Sequence, residues 1–288
     1  MLILVAIIWG TAFVFQREGM EHIEPITFTA SRMTMAAIAI GLVSLLYKTP
    51  RAFSDESKQK EYNRSTIIGG ICCGIFLASA SLLQQMGIVY TTAGKAGFIT
   101  ALYILLVPVI NFVVFRKRSS WLVWVAVLIG VVGLYLLCMT ESFSLSYGDS
   151  LICICAVLFS GHILCCDHFA NKGDAISISA IQFLVTSVIS WVAAFIVESP
   201  GWDKIVSATI PILYCGIVSG GIGYTLQMVA QKYTEPIIAS LLMSLESVFA
   251  VIGGTLFLGE SMSGRELAGC IIMFAAIIIV QIPLPKKK

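Results

Sequence analysis

The chain has 288 residues, of which 58% are hydrophobic and only 12% are charged, with a net charge of +2. An ordinary soluble domain carries about 25% charged residues, so this composition excludes a soluble globular enzyme and a disordered chain. A spanning helix needs roughly 20 apolar residues. The length therefore accommodates ten such helices but no sizeable soluble domain.

Apolar runs separated by charged or turn-rich segments predict ten helices. In chain order they cover residues 2–20, 26–47, 66–89, 95–115, 121–139, 149–169, 176–197, 208–230, 236–258 and 264–283. The first run follows Met1 with no basic segment and no convincing cleavage site. We interpret it as a spanning helix and not as a secretory signal peptide. The longest connection, 48–65, is polar and is expected to lie in water.

Lysines and arginines in the loops predict the orientation in the membrane. With the N-terminus in the cytoplasm, four of them fall on the outer side, and thirteen fall on the cytoplasmic side. The thirteen are Lys48, Arg51, Lys58, Lys60, Arg64, Arg116, Lys117, Arg118, Lys172, Lys232, Lys286, Lys287 and Lys288. This bias predicts that both termini are cytoplasmic and that the number of spans is even.

An internal repeat emerges when the sequence is shifted by 143 residues. Segment 83–102 then aligns with 226–245 without a gap and with six identities. We therefore predict two five-helix repeats, over residues 1–140 and 141–288. Because five is odd, the second repeat must be inverted in the membrane relative to the first. The charges agree with this inversion, since the second repeat has few Lys and Arg in the loops that are basic in the first. Inverted repeats are typical of secondary transporters, whose binding site lies near the midplane between the repeats.

Four segments carry a resemblance to a known family. They are IIWGTAFVF (7–15), Arg32, YTTAGKAGFITALYILLVP (90–108) and SLESVFAVIGGTLFLGE (244–260). Together they resemble the drug/metabolite transporter superfamily, specifically its EamA-like ten-helix exporters. The resemblance implies export of small metabolites, amino acids or toxic compounds across a bacterial inner membrane. Ser247 departs from the family pattern, which commonly has proline there, so no kink is expected in the ninth helix on that ground.

Glu246 is the first candidate for the transport mechanism. It falls near the middle of the ninth predicted helix, where a carboxylate costs about 2.5–3.5 kcal/mol. It must face the bundle interior or a wet cavity, or be protonated. We expect either proton exchange or substrate contact, or a purely structural hydrogen bond to a neighbouring helix. Arg32 is the other intramembrane charge, and we interpret it as an interfacial salt bridge or a snorkelling side chain.

Five further residues are candidates for the walls of a central cavity. Gln84 and Gln227 are equivalent by the 143-residue shift, as are Tyr103 and Glu246. Thr100 and Val107 share a helix face with Tyr103. Trp9 and His162 fall in mid-helix. The predicted substrate-binding set is Trp9, Gln84, Tyr103, His162, Gln227 and Glu246. For each residue, a role in packing or in interhelical hydrogen bonding remains the alternative.

The other motifs predict packing. Gly70/Gly74 and Gly216/Gly220 have the small-xxx-small spacing that allows close helix contact. The nine cysteines all fall in apolar runs without a CxxC pair, so we expect no disulfide framework, no metal and no cofactor. No nucleotide-binding or HExxH motif occurs in the sequence.

The sequence as a whole predicts an all-α membrane protein that acts as a secondary transporter by alternating access, with proton coupling as a hypothesis. Its expected partners are a small-molecule substrate and the lipid bilayer, with no nucleic acid, and the protein is expected to be a monomer or a homodimer. A channel, a membrane-embedded enzyme and a purely structural membrane protein are the alternatives. Saturable flux would distinguish a carrier from a channel.

Overall fold

The computed structural model is helical throughout its described part, with no strand there. It describes residues 1–47, 52–90, 93–117, 120–138, 146–258 and 263–280, with side chains described except at 93–95, 138, 253–258 and 280. The predicted boundary between the two repeats falls outside these ranges. So do Lys48, Arg51, Arg118, Lys286, Lys287 and Lys288.

The helices follow the apolar runs of the sequence. In the first part of the chain they are α1 (Leu2–Gly19), α2 (Pro25–Leu46), α3 (Glu56–Ile88), α4 (Ala93–Ala101), α5 (Tyr103–Phe115) and α6 (Trp121–Cys138). The second part has α7 (Tyr147–Ala170), α8 (Ala175–Val197), α9 (Trp202–Ser207), α10 (Thr209–Leu213), the π-helical segment Tyr214–Tyr224, α11 (Thr225–Ala230), α12 (Pro236–Met243), α13 (Glu246–Leu258) and α14 (Gly264–Val280).

The start of α3 corrects the sequence prediction. The helix begins at Glu56, ten residues before the predicted start at 66, so half of the supposed loop is helical. Asp55 explains the early start, because its carboxylate accepts hydrogen bonds from the backbone N–H groups of Ser57 and Lys58. Such an N-cap satisfies donors that the first turn would otherwise leave without partners. The short α9 was also missed by the sequence prediction.

Two of the predicted helices are broken near their middle. The first divides at Leu102 into α4 and α5, and the second divides at Ser244–Leu245 into α12 and α13. The segments α12 and α13 begin 143 residues after α4 and α5, respectively. The second break corrects the expectation drawn from Ser247, since it forms without a proline.

Serine side chains account for the second break. The hydroxyls of Ser240 and Ser244 donate to the carbonyls of Ile237 and Leu241, each three residues back. The backbone N–H of Ser247 also bonds three residues back, to Ser244. These bonds compete with the regular four-residue pattern and tighten the chain locally.

The helices pack in partner pairs. Helix α6 lies against α14, α2 against α8, α1 against α13, and α3 against both α7 and α8. The predicted close contacts at the glycine pairs are confirmed. A Cβ at Gly70 would lie 2.5 Å from Ile181 Cβ on α8, and a Cβ at Gly216 would lie 2.5 Å from the carbonyl of Arg32 on α2.

Seven helical stretches in the described residues are long and apolar enough to cross a membrane. They are Leu2–Gly19, Pro25–Leu46, Glu56–Ile88, Ala96–Phe115, Tyr147–Ala170, Ala175–Val197 and Thr209–Ala230. Trp121–Leu137 and Pro236–Ile252 are shorter apolar helices. Many large apolar side chains on the outer surface of the bundle are exposed, such as Leu46, Phe195 and Ile196. A surface of this kind is suited to lipid.

Candidate functional site

A central cavity lies where the two broken helices meet α1, α2, α7 and the π-helical segment. Its volume for water-sized occupants is about 40 Å³, room for a few water molecules. All six residues predicted from the sequence lie in its wall, namely Trp9, Gln84, Tyr103, His162, Gln227 and Glu246. The structure therefore brings them together at one place, although their role toward a substrate stays a prediction.

Tyr103 and Glu246 form the centre of the site. Each is the first residue of the helix that follows a break, and both are buried. The hydroxyl of Tyr103 donates to Glu246 Oε1 at 3.1 Å. A carboxylate at the start of a helix also faces the positive end of the helix dipole. The two breaks thus bring the two residues equivalent by the 143-residue shift into direct contact.

The two predicted glutamines lie in the wall but differ in their hydrogen bonds. Gln84 Nε2 donates to Thr100 Oγ1 on α4 at 3.3 Å. Gln227 Nε2 donates to Gln231 Oε1 at 3.2 Å, and within the described ranges its own Oε1 has no hydrogen-bond partner. A buried acceptor without a partner costs about 1–3 kcal/mol. It is therefore a natural contact for a donor in the cavity.

Gln231 divides the cavity from a second, wider space. Its side chain donates to the carbonyl of Ile163 at 3.0 Å and links α7 to the end of α11. Beyond it lies a vestibule of about 570 Å³, lined by charged and polar groups that include Lys117, Asp167 and Glu235. Gln227 thus lines the small central cavity, and its hydrogen-bond partner Gln231 lines the open, polar vestibule.

Trp9 closes the cavity on the side of the π-helical segment. Its indole N–H donates to the carbonyl of Ser219 at 3.1 Å, and its ring lies 4.7 Å from the ring of Tyr224. Ser219 and Tyr224 belong to the glycine-rich segment Tyr214–Tyr224, and a Cβ at Gly223 would lie 2.6 Å from Trp9 Nε1. Segments of π-helix are frequent at functional sites.

His162 is buried and is held by a neighbouring helix. Its Nε2 is 3.0 Å from Gln182 Oε1 on α8, and its ring packs edge-on against Tyr224. With the amide oxygen as acceptor, the proton of the neutral imidazole lies on Nε2 and the lone pair on Nδ1. The ring is thus fixed in orientation while it faces the cavity.

Arg32 corrects the sequence interpretation. It is only 4% exposed and lines the cavity, so it is neither an interfacial ion pair nor a snorkelling side chain. Its guanidinium lies 6.0 Å from the ring centre of Phe28, and no hydrogen-bond partner of Nε lies in the part of the chain that the structure describes. Among the described residues no ion pair joins it to a carboxylate. Glu24, just before α2, pairs with Lys204 instead.

Several wall residues were not selected from the sequence. Phe13 and Gln16 lie on the same face of α1 as Trp9, at helical spacing, and this periodicity could have identified them. An intramembrane arginine is a functional candidate by default, which could have identified Arg32. Tyr224 and Ser219 had no comparable signal, because their position depends on the π-helical segment.

The comparisons with known proteins agree with this architecture. A profile of the EamA-like transporter family matches residues 1–139 and 146–282. An uncharacterized transporter of Archaeoglobus fulgidus is 27% identical over 98% of this chain and 84% of its own length. The uncharacterized transporter YoaV of Bacillus subtilis is 20% identical over 100% of this chain and 97% of its own. One crystal structure matches 97% of this chain and 95% of its own chain, with a TM-score of 0.78 and 16% identity.

The bundle has the apolar exterior of an integral membrane protein and a central cavity lined by both polar and apolar side chains. The chain belongs to the EamA-like transporter family. It is therefore a transporter of the drug/metabolite type.

Proposed function

We propose that the protein is a secondary transporter that exports small polar metabolites, amino acids among them, across the bacterial inner membrane. The observation that carries this proposal is the central cavity, which holds one buried cation, Arg32, and one buried acid, Glu246, that do not pair with each other. A substrate with an anionic and a cationic group satisfies both charges, whereas a purely apolar compound satisfies neither. The direction, out of the cytoplasm, rests on the resemblance to EamA-like exporters.

Two inverted repeats, 1–140 and 141–288, are part of this proposal. The packing supports them, because contacts between the two parts of the chain come in matched pairs. The contact of α1 with α13 is matched by the contact of α7 with α4 and α5. The contact of α3 with α8 is matched in the same way by that of the π-helical segment with α2. Such pairing is what a pseudo-two-fold axis between the halves produces.

Alternating access is supported by the difference between the two spaces. The central cavity is too small for a metabolite, while the vestibule beyond Gln231 is open. A substrate that reaches the cavity must therefore displace the contacts of Gln231 with Gln227 and Ile163. With the predicted orientation the vestibule faces the cytoplasm, since Lys117 and Lys232 line it.

Proton coupling is assigned to Glu246. Its carboxylate is buried beside a phenol and lies in the wall of the cavity, where it can exchange a proton with water or substrate. Protonation removes the negative charge that a cationic substrate group needs. Proton binding and substrate binding then compete for one residue, and this competition couples the two fluxes.

The test uses purified protein in proteoliposomes and a panel of radiolabelled amino acids and cationic drugs, with and without a pH gradient. We expect saturable uptake of at least one zwitterionic compound, stimulated by the gradient. In Glu246→Gln the response to the gradient should disappear. In Arg32→Gln the half-saturating substrate concentration should rise about tenfold or more, because hydrogen bonds to charged groups contribute about 1.5–3 kcal/mol.

Glu18→Gln and Arg17→Gln are the matched controls, because both residues are exposed and lie outside the cavity wall. They should behave as the wild type does. Gradient-stimulated uptake that survives in Glu246→Gln would rule out the proposed coupling residue. Flux that never saturates would favour a channel.

A further inference from the structure

A cluster of thiol and imidazole groups lies beside the cavity, between α3 and α7. Cys73 comes from α3, while His162, Cys165 and Cys166 come from α7. Cys73 Sγ lies 3.4 Å from Cys165 Sγ and 3.8 Å from Cys166 Sγ. Cys166 Sγ lies 3.6 Å from His162 Nε2 and 3.9 Å from Nδ1. All four donors thus belong to one connected group.

Three of these residues have the spacing of a metal-ligand set. The donor atoms of Cys73, His162 and Cys166 lie within 4.8 Å of one another, and all three residues are buried. Two sulfurs that each bind a tetrahedral zinc ion at about 2.3 Å are separated by about 3.8 Å. The Cys73–Cys166 separation of 3.8 Å agrees with this value. An ion can therefore be held with little movement of the two helices.

The surroundings of His162 support a ligand role. Gln182 accepts from Nε2, which leaves the lone pair on Nδ1. A second residue that holds the far nitrogen of a ligating histidine is the usual arrangement at metal sites. Gln182 belongs to α8, so the orientation of the ring does not depend on the two helices that carry the thiols.

Charge and chemistry select the class of ion. Thiolate and imidazole ligands favour soft and borderline metals over magnesium or calcium. The site is buried in an apolar bundle, where an uncompensated charge is costly. Two thiolates and a neutral imidazole balance the charge of a divalent ion, and the two protons of the thiols leave on binding.

We propose that Cys73, His162 and Cys166 form a binding site for a soft divalent metal ion of the zinc or cadmium class. The thiol of Cys165 lies next to that of Cys73 and can supply a fourth ligand to the ion. Because His162 also lines the central cavity, an ion bound here occupies the lone pair of its imidazole and slows transport. The effect on transport rests on the proposed function, whereas metal binding does not.

The binding test uses the full chain in lipid nanodiscs, titrated with Zn²⁺ against a coloured chelator under reducing conditions. We expect one tight equivalent of zinc. Cys73→Ser and Cys166→Ser should each weaken the zinc affinity by about 100-fold. Loss of a residue that only supports a metal ligand already weakens binding by up to about 100-fold. Cys270→Ser is the matched control, since this cysteine is also buried but lies on α14, and it should bind as the wild type does.

A second measurement needs no variant, in case the serine variants do not fold. X-ray absorption of the zinc-loaded wild type should show sulfur ligands at about 2.3 Å and a nitrogen ligand at about 2.0–2.1 Å. A first shell of oxygen and nitrogen alone would overturn the site. So would an unchanged zinc affinity in a folded Cys73→Ser/Cys166→Ser double variant.

Transport separates the two proposals. Zinc should inhibit uptake in the wild type and in Cys270→Ser but not in Cys73→Ser, and a chelator should restore it. Equal inhibition in Cys73→Ser would refute the regulatory effect. If no tested compound is transported, the proposed function fails, and the titration and the absorption spectrum still decide the metal site.

Discussion

At the scale of single residues, the contrast between Glu246 and Glu24 shows how position decides the role of a carboxylate. Glu246 is buried and contacts Tyr103 in the cavity wall. Glu24 lies between α1 and α2, about one-third exposed, and pairs with Lys204. The hydrogen bond from Lys204 lowers the pKa of Glu24 from its ordinary value of 4.5. The two acids therefore respond to different conditions.

The Glu24–Lys204 pair gives a pH-dependent prediction. Because the pKa of Glu24 is lower in the folded protein than in the unfolded one, its contribution to stability is present above about pH 4.5 and is lost as the pH falls further. Exposed pairs contribute about 0.2–1 kcal/mol. Thermal unfolding in detergent should therefore show Glu24→Gln slightly destabilised at pH 7, with a deficit that shrinks as the pH falls toward 3.

The same comparison with Glu21→Gln provides the reference. Glu21 is exposed and belongs to the same connection, but it has no ion pair in the described residues. Its replacement should leave the melting curve unchanged at both pH values. A deficit of Glu24→Gln that persists at pH 3 would contradict the ion-pair explanation.

At the scale of the helices, close packing depends on a few small residues. Helices α6 and α14 touch at Gly133 and Gly269, where a Cβ on Gly269 would lie 2.7 Å from both the carbonyl oxygen of Gly133 and the backbone nitrogen of Leu137. Backbone atoms at that distance cannot rotate away as a flexible side chain can. The contact therefore sets how closely these two helices approach.

Gly269→Ala should destabilise the protein, by about 1–3 kcal/mol, the usual cost of overpacking. Gly41→Ala is the matched substitution in α2, where a Cβ would meet nothing within 4 Å. It should be neutral or stabilising by up to about 1 kcal/mol through helix propensity. Thermal unfolding of both variants in the same detergent measures the difference, and equal melting temperatures would show that the α6–α14 contact is not a tight one.

Much of the helical arrangement, but less of the site, could be predicted from the sequence. The apolar runs located most of the long helices to within a few residues, because lipid demands long uncharged segments, but they missed the polar first part of α3. The repeat shift identified Tyr103 and Glu246 as equivalents, yet their hydrogen bond depends on two helix breaks that no proline marks at Ser244. Arg32 was misplaced because its surroundings come from the π-helical segment, which is distant in the chain.

The thiol cluster was missed for a related reason. Cys165 and Cys166 fall in an apolar run without a CxxC pair, so the sequence predicts no metal site there. The residue that brings them together is Cys73, more than ninety positions earlier. Contacts of this kind between two helices depend on how the helices pack. The spacing of residues along one helix therefore cannot predict them.

At the scale of the whole molecule, orientation is the property that the charges predict and that the proposed direction of transport requires. Trp202 and Tyr233 are both highly exposed, at 80% and 84%, and lie in connections predicted to be on opposite sides of the membrane. Cysteines introduced at these positions provide accessible reporters. Most of the described natural cysteines are buried or only partly exposed.

Trp202→Cys should react with a membrane-impermeant maleimide in intact cells, whereas Tyr233→Cys should react only after permeabilisation. The wild type measures the background from the natural cysteines. The reverse pattern would place the vestibule on the outside and would overturn the predicted cytoplasmic location of both termini. Reaction of both variants in intact cells would contradict the assignment of the two connections to opposite sides.

The contact between Tyr103 and Glu246 has a consequence for the direction of transport. In a bundle of two identical inverted halves, a two-fold rotation would interconvert the inward-open and outward-open forms, and they would have equal energy. Under the proposed relation between the halves, a phenol faces a carboxylic acid where symmetry would require like residues. This difference makes the two forms chemically distinct at the cavity, so protonation of one residue can favour one form over the other.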